Sequence, residues 1–228
     1  MHEAQSQSMN TVIKLHTPTT IGIYGPTQCG KTKFVVSLLK EANVLFTKPV
    51  EEIYYCYEVY QDTYTELKEA ESKGVEKVCF HQGMPHVDDC REWAYMKSHI
   101  VIVLDDLMTD LTKHPEMVKF ATVDCHHKNI TMILLLHNIF PPGLRTVSLN
   151  IHYVVLFKNK RDTLQVETLG RRVMKNKVKY FFACFQQAVR KPFGYLLVDM
   201  HPHSDDVFQL RTCILPSEAP AIIYAPRK

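Results

Sequence analysis

The stretch TIGIYGPTQCGKT, residues 20–32, decides the fold. Thr20 to Tyr24 is a short apolar run that ends at a glycine, and Phe34, Leu38 and Leu39 then recur at helical spacing between Lys33 and Ala42. That is a strand, a loop and a helix. The loop itself, from Gly25 through Pro26, Thr27, Gln28, Cys29, Gly30 and Lys31 to Thr32, fits the pattern GxxxxGK[ST]. Gly25 and Gly30 let successive backbone N–H groups turn in on phosphate oxygens, and the following helix aims the positive end of its dipole at the same anion. Lys31 then reaches the β- and γ-phosphates, and the Thr32 hydroxyl ligates magnesium, so ATP and Mg2+ are the expected ligands. The bland alternative is a fortuitous glycine turn. The strand before it and the helix after it count against that.

Working outward, IVIVLDDLM at residues 100–108 is an aliphatic run ending in two aspartates. A strand buried on both faces delivers Asp105 and Asp106 to the carboxyl edge of a parallel sheet, where open α/β folds place ligands. Asp105 would hold magnesium through water, and Asp106 would orient or deprotonate the attacking water. A helix cap with an acidic turn is the alternative, and an aspartate at the second position reaches one methylene less than the usual glutamate. About 75 residues separate Lys31 from Asp105, enough for the two motifs to sit on strands that are not neighbours. A further run ends in His137 and Asn138, where the Asn138 amide would sense the γ-phosphate or hold the lytic water; otherwise it simply begins a loop. Arg145 follows in a Pro-Gly loop and Arg161 in FKNKRD. Each is either a solvated surface charge or an arginine finger that reaches a neighbouring subunit's nucleotide.

Strands expected near 53–57, 76–80, 153–157 and 195–198 alternate with helices near 63–72, from 162 onward and over 179–190, which argues for an α/β domain with a parallel sheet covered on both sides. Gly74 suits the turn before the 76–80 strand. Residues 1–11 read as a flexible tail, 12–215 as one domain, and the proline-bearing end, 216–228, as an irregular surface tail. Arg171, Arg172, Lys175, Lys177 and Lys179 put five cations into nine residues. They suit either a phosphodiester backbone or a solvated helix face or subunit contact.

The composition, 46% hydrophobic and 22% charged over 228 residues, is that of a folding globular domain. A net charge of +3 tolerates an anionic partner without demanding one. Seven cysteines with no CxxC pair fit neither a disulfide framework nor a zinc ribbon, and imply a reducing, intracellular compartment. Cys125, His126, His127 and His137 do not make a metal site, because adjacent ligands on one helix cannot all face one ion. The start lacks a signal-peptide pattern, and the apolar runs fall far short of the roughly 20 residues that span a bilayer, so no membrane is expected.

Taken together, GPTQCGKT, the HQGMP segment, LDDLM, the strand ending in HN followed by IFPPGLRTVSLNIHYVVLFKNKRD, and PFGYLLVDM resemble the genome-packaging ATPases of the FtsK-HerA superfamily. The branch they are most similar to is that of poxvirus-like large DNA viruses and of Polinton and adintovirus-type elements. The resemblance covers roughly Ile21 to Pro216. It implies a P-loop fold with an additional strand between the two Walker strands, and an ATP-driven homo-oligomeric ring, a pentamer or hexamer, that pulls double-stranded DNA into a capsid. Capsid portal or vertex proteins are then possible partners, and the setting is the host nucleus or cytoplasm. It also implies Lys31 and Thr32 on ATP and magnesium, Asp105 and Asp106 as the acidic pair, Asn138 as sensor and Arg145 as first choice for the finger, with Arg161 second. Where the family has Gln-Asn, this chain has His137 before Asn138, and an imidazole can still donate a hydrogen bond there. Two other readings stand beside the motor. A nucleoside or nucleotide kinase would need an acceptor pocket and an arginine-rich lid, and a nucleotide-gated structural or DNA-binding subunit would not need the intact acidic pair.

Overall fold

The mainly aliphatic stretches Thr20–Tyr24, Ile100–Asp105, Ile130–Leu136 and Tyr153–Phe157 are buried at every position, so no face of theirs meets water, and they form the centre of the sheet. The computed structural model describes the backbone of residues 5–9, and residues 12–71, 77–218 and 220–225. The strands are β1 (Gln5–Met9), β2 (Thr20–Tyr24), β3 (Glu52–Tyr57), β4 (Lys77–Gln82), β5 (Ile100–Asp105), β6 (Ile130–Leu136), β7 (Tyr153–Phe157), β8 (Tyr195–Asp199), β9 (Leu210–Thr212) and β10 (Ala221–Ala225). They lie in one sheet in the order β1-β10-β9-β8-β7-β2-β6-β5-β3-β4. Strands β2 to β7 run parallel to their neighbours among themselves, and β8, β9, β10 and β1 continue the sheet antiparallel.

Because strand side chains alternate in direction, the central strands feed two cores at once. Ile100, Ile102 and Leu104 with Met132, Leu134, Val154 and Leu156 face one side, where Val166 and Leu169 of the helix Thr163–Val173 and Phe181 and Phe185 of the helix Val178–Ala188 cover them. Val101, Val103, Ile133, Leu135 and Val155 face the other, under Phe34, Val35, Leu38 and Leu39 of the helix Lys31–Lys40. Each of these fully buried aliphatic side chains contributes about 1.5–3 kcal/mol of transfer free energy. Helices on both faces of a mainly parallel sheet are the expected α/β architecture, and β6 is the strand inserted between β2, which carries the phosphate loop, and β5, which carries the aspartates.

Both ends of the chain correct the expectation of tails. Gln5–Met9 is a strand, paired antiparallel with Ala221–Ala225, which in turn pairs with β9. Pairing at a sheet edge needs backbone N–H and C=O groups and no apolar period, so the polar QSQSM gives no sign of it. Pro220 and Pro226 bound AIIYA rather than interrupt it, as prolines can at strand ends. The sheet therefore extends past the expected domain limits at 12 and 215 on both sides. Residues 1–4, 10–11, 226–228 and the expected turn at Gly74 lie outside the described residues. Among the described residues, no helix is long and apolar enough to cross a membrane.

Candidate functional site

The loop after β2 turns on two positions that exclude a side chain. A Cβ on Gly25 would lie 2.5 Å from Cys29 Sγ and 2.8 Å from Phe157 Cβ, and Gly30 caps the helix Lys31–Lys40 with φ +105°, a conformation glycine adopts without cost. Lys31 is buried and folded back into the loop, where its ammonium donates to the carbonyls of Gly25 at 2.8 Å and Pro26 at 3.1 Å. The loop thus holds its own cation with two of its carbonyls. The helix begins with no acidic residue in its first turn, so the positive end of its dipole is unopposed.

Two strands away, β5 ends at Asp105, only 2% exposed. One of its oxygens, Oδ2, accepts hydrogen bonds from Tyr55 at 2.7 Å, Tyr64 at 2.9 Å and Thr32 of the phosphate loop at 3.3 Å. Burial pushes the Asp105 carboxyl above the ordinary carboxylate range; the two tyrosine hydroxyls oppose this, Asp106 adds to it, and Thr32 opposes it. The two motifs, 73 residues apart in sequence, therefore meet in one hydrogen bond. Asp106 sits in the left-handed region at φ 58°, which aspartate tolerates better than most residues, and turns away from Asp105 toward solvent. Its Oδ1 lies 3.3 Å from His137 Nε2, and both side chains are about half exposed.

His137 and Asn138 follow β6 directly, and both line an open cleft of about 1070 Å³ beside the phosphate loop. The segment is held from below: the Ile139 N–H donates to Gln165 Oε1 at 2.7 Å, and Gln165 is in turn bonded to Asp162, which caps its helix. The cleft is also lined by Pro26 to Cys29, by Lys158 to Asp162 after β7, and by Arg190 to Gly194 before β8. Arg161 thus lines the same cleft as the phosphate loop of its own chain. Arg145 does not line this cleft; it is exposed at the start of the helix Arg145–Asn150.

The basic run falls elsewhere. Arg171 lies 3.7 Å from Glu167, and the Arg172 guanidinium stacks 4.2 Å from the centroid of Phe140. Both are in the last turn of a helix whose other end, at Asp162, lines the cleft, and Lys175, Lys177 and Lys179 are exposed beyond them. Eleven residues of helix put the run roughly 16 Å from the cleft. Among the described residues no group of histidine, cysteine or acidic side chains could hold a metal ion on its own, and Cys125 is buried in the core.

Sequence reasoning missed Tyr55, Tyr64, Arg190 and Phe193. An aromatic in an apolar strand such as EIYYCY reads as core, and nothing in the pattern reveals that a hydroxyl reaches across to Asp105. Phe193 carried a signal, the Pro-Phe-Gly turn.

No protein-family model matches the chain, and no curated protein matches it significantly. Among solved structures, it is similar to the genome packaging NTPase B204 of Sulfolobus turreted icosahedral virus 2 in complex with ATP-gammaS, with a TM-score of 0.52 at 11% identity over 91% of this chain and 97% of that one. A looser likeness, TM-score 0.44 at 12% identity over 91% of this chain and 90% of that one, is to a KaiC-like protein of Pyrococcus horikoshii and carries no argument. At these identities the likeness is one of fold: the chain has the mixed α/β fold of the P-loop NTPases.

Proposed function

We propose that this chain is an ATPase that uses hydrolysis to move double-stranded DNA, as one subunit of a homo-oligomeric ring of the FtsK-HerA type that packages a viral or virus-like genome. The observation that carries the enzymatic part is the Thr32–Asp105 hydrogen bond, which closes the phosphate loop onto a buried carboxylate with Asp106 and His137 beside it. Binding alone needs the loop; an acidic pair two strands away is what hydrolysis adds.

In this reading Lys31 leaves the Gly25 and Pro26 carbonyls for the β- and γ-phosphates. The Thr32 hydroxyl and the Asp105 carboxylate are hard oxygen donors 3.3 Å apart, a set that suits Mg2+ with its remaining positions filled by water and phosphate. Bound there, the ion would neutralise charge on the β–γ bridge. Tyr55 and Tyr64 hold Asp105 in place for it, Asp106 orients the attacking water, and Asn138 faces the γ-phosphate. Arg161 lines the cleft beside its own loop, and Arg145, exposed and off the cleft, is the first choice for the finger that serves a neighbour's site, as the motif resemblance implies. The DNA and packaging parts rest on the motif resemblance, with the fold of the viral NTPase consistent with them; portal or vertex proteins of a capsid are the corresponding partners.

The test is phosphate release from ATP by the wild-type chain, by Asp106→Asn and by Lys31→Ala, with product analysis for any phosphorylated acceptor. Turnover that is lost in both variants without a phosphorylated product supports the proposal. Asp106→Asn at the wild-type rate would remove Asp106 from its role, and transfer to an acceptor would make the chain a kinase.

A further inference from the structure

Phe193 is an anomaly by two measures. The residue is 69% exposed, and its backbone sits at φ +60°, where a bulky residue is a genuine outlier. Such strain costs on the order of 1–3 kcal/mol and persists only where the surroundings over-determine it. Here they do. The Gly194 N–H closes a tight turn onto the Lys191 carbonyl at 3.1 Å, and a Cβ at Gly194 would lie 2.4 Å from the Ala188 carbonyl oxygen, so the turn cannot shift one residue along. The ring is held against the phosphate loop, its edge 3.0 Å from where a Cβ on Gly30 would stand.

The turn's place in the sheet gives the ring a use. The phosphate loop follows β2. Asp105 ends β5 two strands to one side, and Phe193 precedes β8 two strands to the other. Each interval is roughly 10 Å, so a nucleotide with its γ-phosphate toward the aspartates extends its base toward the ring. That end of the cleft is lined by exposed Lys158, Lys160, Arg190 and Lys191, with Asn159 among them, and these cations suit the α-phosphate and ribose side of the ligand. An open aromatic face beside a fixed phosphate site is what a nucleobase stacks on, and a purine offers the larger face.

We propose that Phe193 is the stacking platform for the purine base of the bound nucleoside triphosphate, and that the Lys191–Gly194 turn is held in its strained form to present it. This rests on the phosphate loop binding a nucleotide. It makes the site one that ranks bases by stacking: ATP and GTP bind comparably, and CTP and UTP more weakly.

The test compares wild type with Phe193→Leu and Phe193→Tyr, using calorimetry with ATP, CTP and tripolyphosphate, and fluorescence of 2-aminopurine riboside triphosphate. Phe193→Leu should bind ATP about 5- to 100-fold more weakly, as loss of one base–aromatic stack implies, with tripolyphosphate unchanged. The quenching of 2-aminopurine on binding should disappear in Phe193→Leu and return in Phe193→Tyr. Unchanged ATP affinity and unchanged quenching in Phe193→Leu overturn the assignment, and a loss of self-association in that variant without loss of ATP binding would make the ring a subunit contact instead. Failure of wild type to bind either ATP or tripolyphosphate would remove the nucleotide reading itself, and the platform with it.

Discussion

The two edges of the parallel sheet handle charge in opposite ways. At the amino edge it is paired within the protein. The side chains of Asp199 and Arg211, each 1% exposed, form an ion pair at 2.6 Å, and the rings of His16, His152 and His203 cluster around His201, with His126 packed on His152, at centroid distances of 4.8 to 5.3 Å. Thr19 Oγ1 meets His152 Nδ1 at 2.9 Å, and His99 meets Thr131 at 2.8 Å. At the carboxyl edge, Lys158, Lys160, Arg161, Arg190 and Lys191 are exposed around one cleft, and none of them forms an ion pair with a described residue. Five cations and the single carboxylate of Asp162 line that cleft, so positive charge is in excess there and favours an anionic ligand. The contrast separates the two edges: one pairs its charges within the fold, and the other leaves positive charge in excess on an open cleft.

The sharpest way to break that division is to take a carboxylate from each edge. Asp106→Asn should lower ATP turnover by about 10²- to 10⁴-fold, the usual worth of a positioned acid or base, while leaving the melting temperature and nucleotide affinity nearly unchanged. Asp199→Asn should do the reverse. It strands the Arg211 guanidinium in the core, which costs about 3–5 kcal/mol in denaturant unfolding, with nucleotide affinity per folded molecule untouched. An Asp199→Asn protein of wild-type stability would mean that the amino edge is not the structural one.

Lys31→Ala sharpens the comparison from the ligand's side. The lysine's own bonds in the empty loop are to carbonyls that can find other donors, so stability should change by less than about 1 kcal/mol. ATP affinity should fall on the order of 100-fold, the loss of a charge-assisted phosphate contact.

The smallest effect is a pH dependence confined to the amino edge. Burial and neighbouring imidazoles push His152 and His201 each down to about 4 from 6.5. The unfolded chain therefore takes up protons that the folded chain refuses, so their contribution to stability is intact above pH 6.5, falls as pH drops from 6.5 to 4, and levels off below that. Thermal melts should show a steeper acid loss in wild type than in His201→Asn. Identical slopes would show that the ring cluster does not carry it.

Much of this molecule is legible in its sequence, for physical reasons that also mark where legibility stops. Central strands such as IVIVLD and ITMILLL are apolar but for Asp105 and Thr131 because both faces are covered, and the GPTQCGKT loop is legible because only glycine fits where Gly25 and Gly30 stand. The antiparallel extension is hidden at both termini: β1 is an edge strand specified by backbone pairing, which leaves no period in QSQSM, and the prolines flanking AIIYA make β10 read as irregular chain. At the site, Asp105 was found by its position after an aliphatic run, whereas Tyr55 and Tyr64, which hold it, look like any strand or helix-cap aromatic until the register places them. The two arginine candidates were equivalent in sequence and are not so in space: Arg161 lines the cleft, and Arg145 does not.

The central claim is that this carboxyl edge is the hydrolytic site of a DNA motor that works as an assembly. The direct measurement is the steady-state ATPase rate per subunit, with and without double-stranded DNA, across a range of protein concentration. For the proposed DNA motor, the rate rises with assembly, rises further with duplex DNA, and is lost in Lys31→Ala. A rate per subunit indifferent to both concentration and DNA would contradict it.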